Sequence, residues 1–267
     1  DRNRTSPFAF TGNKFEFLML GSSASVATPN IVLNTAVAEA LAQFYQELEG
    51  TRPEDIEHAV HELLKRAIRK HKKIIFNGNG YSEEWVKEAE SRGLYNLVST
   101  PDCLPRFIVE KNVELFTKHH IFTKDEIFSR YEILLENYVK TILIEAKTLE
   151  EMLSKDFLPS VSAFAGQTAE NATAKKAFLP ALSMPAEEAL VTKLTETYTA
   201  LTDGIAELAS LVTEAESMDD MQKAAEFCQS RVLSRMEALR LTANAAETLI
   251  PDSLLPYPTY DQLLFSL

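Results

Sequence analysis

The spacing of apolar positions divides the chain into a short opening segment of period two and a long remainder of period near 3.6. From Lys14 to Leu20 the pattern alternates, with Phe15, Phe17 and Met19 on one face and Lys14, Glu16 and Leu18 on the other. This predicts a strand, entered from the turn signal Thr11-Gly12-Asn13 and left through the small-residue loop Gly21-Ser22-Ser23-Ala24-Ser25. From Pro29 the period lengthens. Ile31, Val32, Thr35, Leu41, Phe44 and Leu48 form the apolar face of one helix, stopped by Gly50. Thr51-Arg52-Pro53-Glu54 has the spacing of a capping box and opens a second helix to about Lys73, with Ile56, Val60, Leu63, Leu64 and Ile68 on one side. Ile74-Ile75-Phe76 followed by Asn77-Gly78-Asn79-Gly80 predicts a short strand and a tight turn. Ser82 caps a short helix ending at Gly93, and Asp102-Cys103-Leu104-Pro105 leads into another.

Thr123-Lys124-Asp125-Glu126 is a second capping box and opens the longest periodic segment, Glu126 to about Phe157. Ile127, Tyr131, Leu134, Leu135, Tyr138, Ile142 and Met152 supply its stripe. Pro159 and the Ala/Ser/Gly-rich residues after it mark a bend or a new helix. Leu190, Leu194, Thr197, Leu201, Leu208 and Leu211 recur at spacings near three and four; after the turn and cap Ser217-Met218-Asp219-Asp220, so do Met221, Ala225, Cys228, Val232, Met236 and Leu239. They predict an antiparallel helical pair packed on a bundle. Pro251, Pro256 and Pro258 force an extended tail, and its end, Tyr260 to Phe265, is apolar enough to be expected docked. The fold class is mainly α, with one or two strands at the start.

Composition narrows the partners. The net charge of −12 argues against nucleic acid, whose phosphates need a basic surface. Apolar residues at 45% suffice for a core, and no apolar run reaches the roughly 20 residues of a membrane helix. Cys103 and Cys228, far apart, make neither a disulfide framework nor a zinc spacing, so reduced thiols in a cytoplasmic protein are expected. Asp1-Arg2-Asn3-Arg4-Thr5-Ser6-Pro7 is neither a signal peptide nor a start, and a piece of a longer protein is expected.

The chemistry that stands out is at the beginning. Arg2, Arg4 and Lys14 lie near Glu16, which shares a strand face with Lys14. Cations around one carboxylate suit an anion-plus-metal site of the phosphoryl-transfer kind, where Glu16 supplies one hard oxygen ligand to Mg²⁺. Taken by themselves these residues more often make a plain ion pair at a sheet edge. His58 and His61, at i and i+3, read as solvated helix positions; His119 and His120 are adjacent, face different sides of a helix and make a poor metal pair; His71, within the run Lys65-Arg66 to Lys72-Lys73, reads as part of an exposed helix end favourable to the dipole.

Arg2-Asn3-Arg4-Thr5-Ser6-Pro7-Phe8-Ala9-Phe10-Thr11-Gly12-Asn13-Lys14-Phe15-Glu16-Phe17 resembles a stretch of the type III glutamine synthetases that precedes the last active-site strand of their catalytic domain. Ser129-Arg130-Tyr131-Glu132-Ile133-Leu134-Leu135-Glu136-Asn137-Tyr138 with Glu145-Ala146-Lys147-Thr148 resembles their long C-terminal helix, Leu158-Pro159 its end, and Pro251-Asp252 to Pro258-Thr259-Tyr260 their closing tail. Several motifs in order across the chain make the resemblance strong. It implies that residues 1–28 finish an α+β catalytic domain and that residues 29–267 are the helical C-terminal region. It implies ATP-dependent ligation of ammonia to glutamate through a γ-glutamyl phosphate, with Mg²⁺ or Mn²⁺, in a cytoplasmic homo-oligomer of stacked rings. By position Glu16 matches a metal ligand, Arg4 a catalytic residue that contacts substrate or nucleotide phosphate, and Lys14 a cation near the nucleotide. One position departs: the family strand reads Glu, an apolar residue, then Arg, and here Leu18 stands third. The isolated chain is expected to be inactive. The alternative is a non-catalytic helical scaffold or oligomerisation module.

Overall fold

The structure, a computed structural model, describes residues 8–10, 14–17, 24–80 and 82–265. It is mainly α, as the periodicity predicts. The chain folds as two compact units, Asp1–Val98 with Pro105–Ser129, and Ser99–Leu104 with Arg130–Leu267.

The first unit opens with a hairpin, β1 (Phe8–Phe10) antiparallel to β2 (Phe15–Phe17). Helix α1 (Ala27–Leu48) begins two residues before Pro29, and Gly50, at φ +82°, takes the left-handed conformation that ends it. Thr35 is buried on α1, its hydroxyl donating to the Ile31 carbonyl, while Val32 and Leu41 of the expected face are exposed. Helix α2 (Ile56–His71) is preceded by a 3-10 turn at Pro53–Asp55, and the expected Thr51 cap does not form. Instead Arg52 grips Asp55 and Glu54, so the charges consume the groups a capping box would use. Leu63 is buried; Ile56, Leu64 and Ile68 are not.

The expected strand at Ile74–Phe76 is absent. Lys72–Ile74 is a 3-10 turn, and Phe76 stacks on Trp85 of α3 (Glu83–Ser91), ring centroids 3.8 Å apart. Arg92 donates to the carbonyls of Lys73 and Ile75, supplying from a side chain the partners a strand would find in a neighbour. Ser82 caps α3 as predicted, accepting from the Trp85 amide. Helix α5 (Glu110–Lys118) contributes the buried Phe116, which meets Phe107 and Phe122. Its end is a Schellman turn, with the Ile121 amide on the Phe116 carbonyl at 2.9 Å. His120 fills the left-handed position of that turn at φ +53°.

The second unit is a helical bundle. Ser99 caps α4 (Thr100–Cys103). Helix α6 (Lys124–Met152) starts at the predicted box, Thr123 and Glu126 each binding the other's amide, and from Arg130 onward it belongs to this unit. A π-turn at Leu153–Phe157 carries it without a break into α7 (Leu158–Phe178). Of the bend or new helix expected at Pro159, a new helix starts there, with the proline in the first turn of α7 and the wider π-turn before it accommodating the missing N–H and the ring. Helix α8 (Pro185–Glu216) packs against α7 and against α10 (Leu233–Glu247). The return is capped by Asp220 and runs through α9 (Met221–Phe227) and a second π-turn, Cys228–Val232.

The core runs along α8, where Leu194, Leu201 and Leu208 are fully buried at spacings of seven. They meet Leu135, Ile142, Ala146, Phe157, Val161, Val232 and Leu239 from the surrounding helices. Burying each such leucine contributes roughly 1.5–3 kcal/mol, which holds the bundle together. On α6 the expected stripe holds at Ile127, Leu135 and Ile142, which are buried, and Tyr131 and Tyr138 pack on the core; Val139, Leu143 and Ala146 widen it, while Leu134 and Met152 are half out. The tail docks only in part. Ile250 is buried, Leu254, Leu255 and Tyr257 lie on the core, and the Tyr257 hydroxyl donates to the Met152 carbonyl at 2.9 Å. Beyond them α11 (Tyr260–Leu264) leaves Leu263, Leu264 and Phe265 exposed, contrary to the expectation that the end docks.

Candidate functional site

The hairpin fixes where the sequence-predicted site residues stand. β1 and β2 pair with Phe8 opposite Phe17, Ala9 opposite Glu16 and Phe10 opposite Phe15. Cross-strand partners share a face of the pleat. Glu16 thus stands opposite Ala9 in the register, between the Phe8–Phe17 and Phe10–Phe15 pairs, within the strand that the alternation predicts. Lys14 lies in a bend next to β2 and is exposed. Arg2, Arg4 and Leu18 fall outside the described residues, so the expected approach of Arg4 to Glu16 does too.

A second cluster, which the periodicity and motifs did not reveal, lies in the same unit. Glu39 of α1 accepts from the Lys118 ammonium at 2.8 Å and 2.9 Å and meets His119 Nε2 at 2.6 Å; Gln43, one turn along α1, donates to it at 2.8 Å. The Lys118 ammonium, then Gln43 and His119, hold the Glu39 carboxyl down to about 2. The carboxylate joins the C-terminal end of α5 to α1, at the end where the helix dipole favours cations. Beside it an open groove of about 530 Å³ is lined by Ala27, Ile31, Asn34, Ala38, His119 and Ile121. The signal in the sequence was slight: Glu39 and His119 are 80 positions apart, and only Gln43, at i+4 from Glu39, hints that this carboxylate is held. The cluster is one carboxylate held by an ammonium, an imidazole and a side-chain amide, which orients side chains and fastens two helices.

Among the described residues no three His, Cys, Asp or Glu side chains gather as a metal site, and no helix is long and apolar enough to cross a membrane. His58 and His61 are exposed, as expected. Cys228 is buried in its π-turn, which pushes its thiol up to about 11, while Cys103 is exposed.

Comparison with known proteins extends these observations. Residues 59–176 match the glutamine synthetase C-terminal domain. The chain is 41% identical over 268 residues to a glutamine synthetase of Butyrivibrio fibrisolvens, covering 100% of this chain and 38% of that protein. It is 37% identical over 270 residues to the type-3 glutamine synthetase of Dictyostelium discoideum, covering 99% and 37%. It is 31% identical over 273 residues to a glutamine synthetase of Bacteroides fragilis, covering 100% and 37%. The chain therefore spans under two fifths of the length of these relatives. With its opening motif, its mainly helical fold and these matches, the chain belongs to the type III glutamine synthetase family, of which it carries a C-terminal portion.

Proposed function

We propose that the whole protein ligates ammonia to glutamate at the expense of ATP, through a γ-glutamyl phosphate, in the cytoplasm. Residues 1–28 close its catalytic domain, and residues 29–267 form a helical region that shapes a homo-oligomer. Glu16 supplies one oxygen ligand to Mg²⁺ or Mn²⁺, Arg4 contacts a phosphate or the substrate, and Lys14 adds positive charge near the nucleotide. The observation that carries this reading is the hairpin itself, in which Glu16 stands opposite Ala9 on a strand that the family motif marks. A bound divalent ion neutralises charge developing on a transferred phosphoryl group. One carboxylate cannot hold such an ion alone, so its other ligands come from the rest of the protein. The isolated chain is then inactive.

Leu18 bears on the strength of the activity. Alternation gives it the same strand face as Glu16. A leucine donates no hydrogen bond where the family has an arginine, and the missing charge-assisted contact costs about 1.5–3 kcal/mol of binding. This favours weak turnover, and it also favours the second reading, a helical scaffold that has lost catalysis. One experiment separates them. Glutamine formation by the full-length protein is measured against Mg²⁺ and Mn²⁺ concentration for the natural sequence, Glu16→Gln and Leu18→Arg. The ligase reading expects Glu16→Gln to raise the metal requirement and lower turnover about 10–100-fold, and Leu18→Arg to raise turnover. Absence of nucleotide-dependent glutamine formation in all three proteins leaves the scaffold.

A further inference from the structure

Helix α2 combines two features that a solvated helix face does not need together. Its last turns and the 3-10 turn after them carry Lys65, Arg66, Arg69, Lys70, Lys72 and Lys73. The helix dipole accounts for cations in the last turn only. Lys65 pairs with Glu62 at 3.0 Å and Arg66 with Glu47, whereas Arg69, Lys70, Lys72 and Lys73 make no ion pair among the described residues. Large apolar side chains stand among these charges: Leu64 is 47% exposed, Ile68 59%, Ile74 60% and Ile75 51%. Leu64 and Ile68 are one turn apart and form a stripe beside the buried Leu63; Lys65 and Arg69, also one turn apart, form the adjoining row.

A surface with both rows fits an acidic protein face that also offers apolar contact, and this chain carries such a face. Nearly all of its net charge of −12 lies in residues 131–267. The corner between α8 and α9 exposes Glu214, Glu216, Asp219 and Asp220. Glu216 is paired with Lys147 at 2.5 Å and Asp220 with Lys223 at 3.5 Å, while Glu214 and Asp219 make no ion pair among the described residues. Ile144, three residues before Lys147 on α6, is 65% exposed. We propose that the basic, apolar face of α2 docks on the acidic α8–α9 corner of a second copy of the chain. The rim charges of such a contact set register and speed association, and the isoleucines and Leu64 supply buried area. The strongly negative balance of the chain disfavours nucleic acid or an anionic membrane as the occupant of this face.

The test uses the full-length protein, with its assembly followed by sedimentation velocity through a dilution series. Lys65→Glu, Arg69→Glu and Lys72→Glu together should raise the concentration of half-dissociation roughly tenfold or more, given three reversed cross-interface charges. Glu214→Lys with Asp219→Lys should do the same, and the five substitutions combined should return it towards the natural value, which a misfolded variant does not do. Raising NaCl from about 0.05 to about 0.5 M should weaken assembly of the unaltered protein, because exposed charges are screened. Assembly indifferent to salt and to both sets overturns the proposal. So does loss of binding to phosphatidylserine vesicles in the triple variant with assembly unchanged, an outcome that assigns the face to a membrane.

Discussion

Two glycines inside helices of the bundle invite the same substitution and should answer with opposite signs. Gly204 sits in α8, where a methyl group in the Cβ position meets Leu239 Cδ2 at 2.6 Å and Arg235 Nη2 at 2.8 Å. The Arg235 end can swing, at the cost of its 3.0 Å pair with Glu207 and its 3.4 Å bond to the Gly204 carbonyl. Leu239 cannot, because it is 3% exposed and wedged in the core. Gly166 sits in α7 with nothing within 4 Å of its Cβ position. Gly→Ala in a helix interior gains about 1 kcal/mol at either site. At Gly166 that gain should appear intact, raising the midpoint by about 2–4 °C for a unit of this size. At Gly204 overpacking of about 1–3 kcal/mol opposes it, so Gly204→Ala should be neutral to about 2 kcal/mol destabilising, and Gly204→Val worse. Urea unfolding monitored by far-ultraviolet circular dichroism measures both. Stabilisation of Gly204→Ala equal to that of Gly166→Ala would show that α8 and α10 are not in contact there and would refute the packing described for the bundle.

Three further outcomes follow from local chemistry. Glu39 has a folded-state pKa below its ordinary value, so its contribution is present above the unfolded value near 4.5 and is lost as pH falls towards about 2; acid unfolding followed at α1 and α5 should show this loss, and Glu39→Gln should abolish it. In the native protein a thiol reagent at pH 8 should modify exposed Cys103 quickly and Cys228 only as the bundle opens, since burial holds that thiol up at about 11; equal rates would contradict the burial. Replacing His120, at φ +53°, with Gly should stabilise the end of α5 by up to about 1 kcal/mol, and a loss instead would mean that the imidazole has a structural role.

Signals that act within one turn were legible in the sequence. Ser82, Thr123 and Asp220 cap helices where the pattern placed caps, because each uses an oxygen and an amide three positions apart. Gly50 ends α1, the seven-residue spacing of Leu194, Leu201 and Leu208 marks the buried row of α8, and alternation across Phe15–Phe17 gives the strand whose register carries the candidate site. The resemblance to the family, confirmed by the relatives, was carried by such short ordered motifs.

What sequence alone left open depends on groups brought together from far along the chain. Ile74–Phe76 has a strand's composition, yet Arg92 takes the carbonyls of Lys73 and Ile75, and Trp85 takes the ring of Phe76. Pro159 reads as a bend or a new helix; only the structure shows the π-turn that leads α6 into α7 there, with Leu153 and Phe157 in the core. Periodicity gave α6 its buried stripe at Ile127, Leu135 and Ile142, but how wide that stripe is, taking in Val139, Leu143 and Ala146, was decided by the helices packed on it. Glu39 and His119 meet only because α1 and α5 pack. Local hydrogen bonding and side-chain period are properties of consecutive residues, so the sequence determines them by itself; burial, ion pairing across helices and the choice between equivalent helix faces depend on which surfaces exclude water from one another, and the tertiary structure alone supplies that.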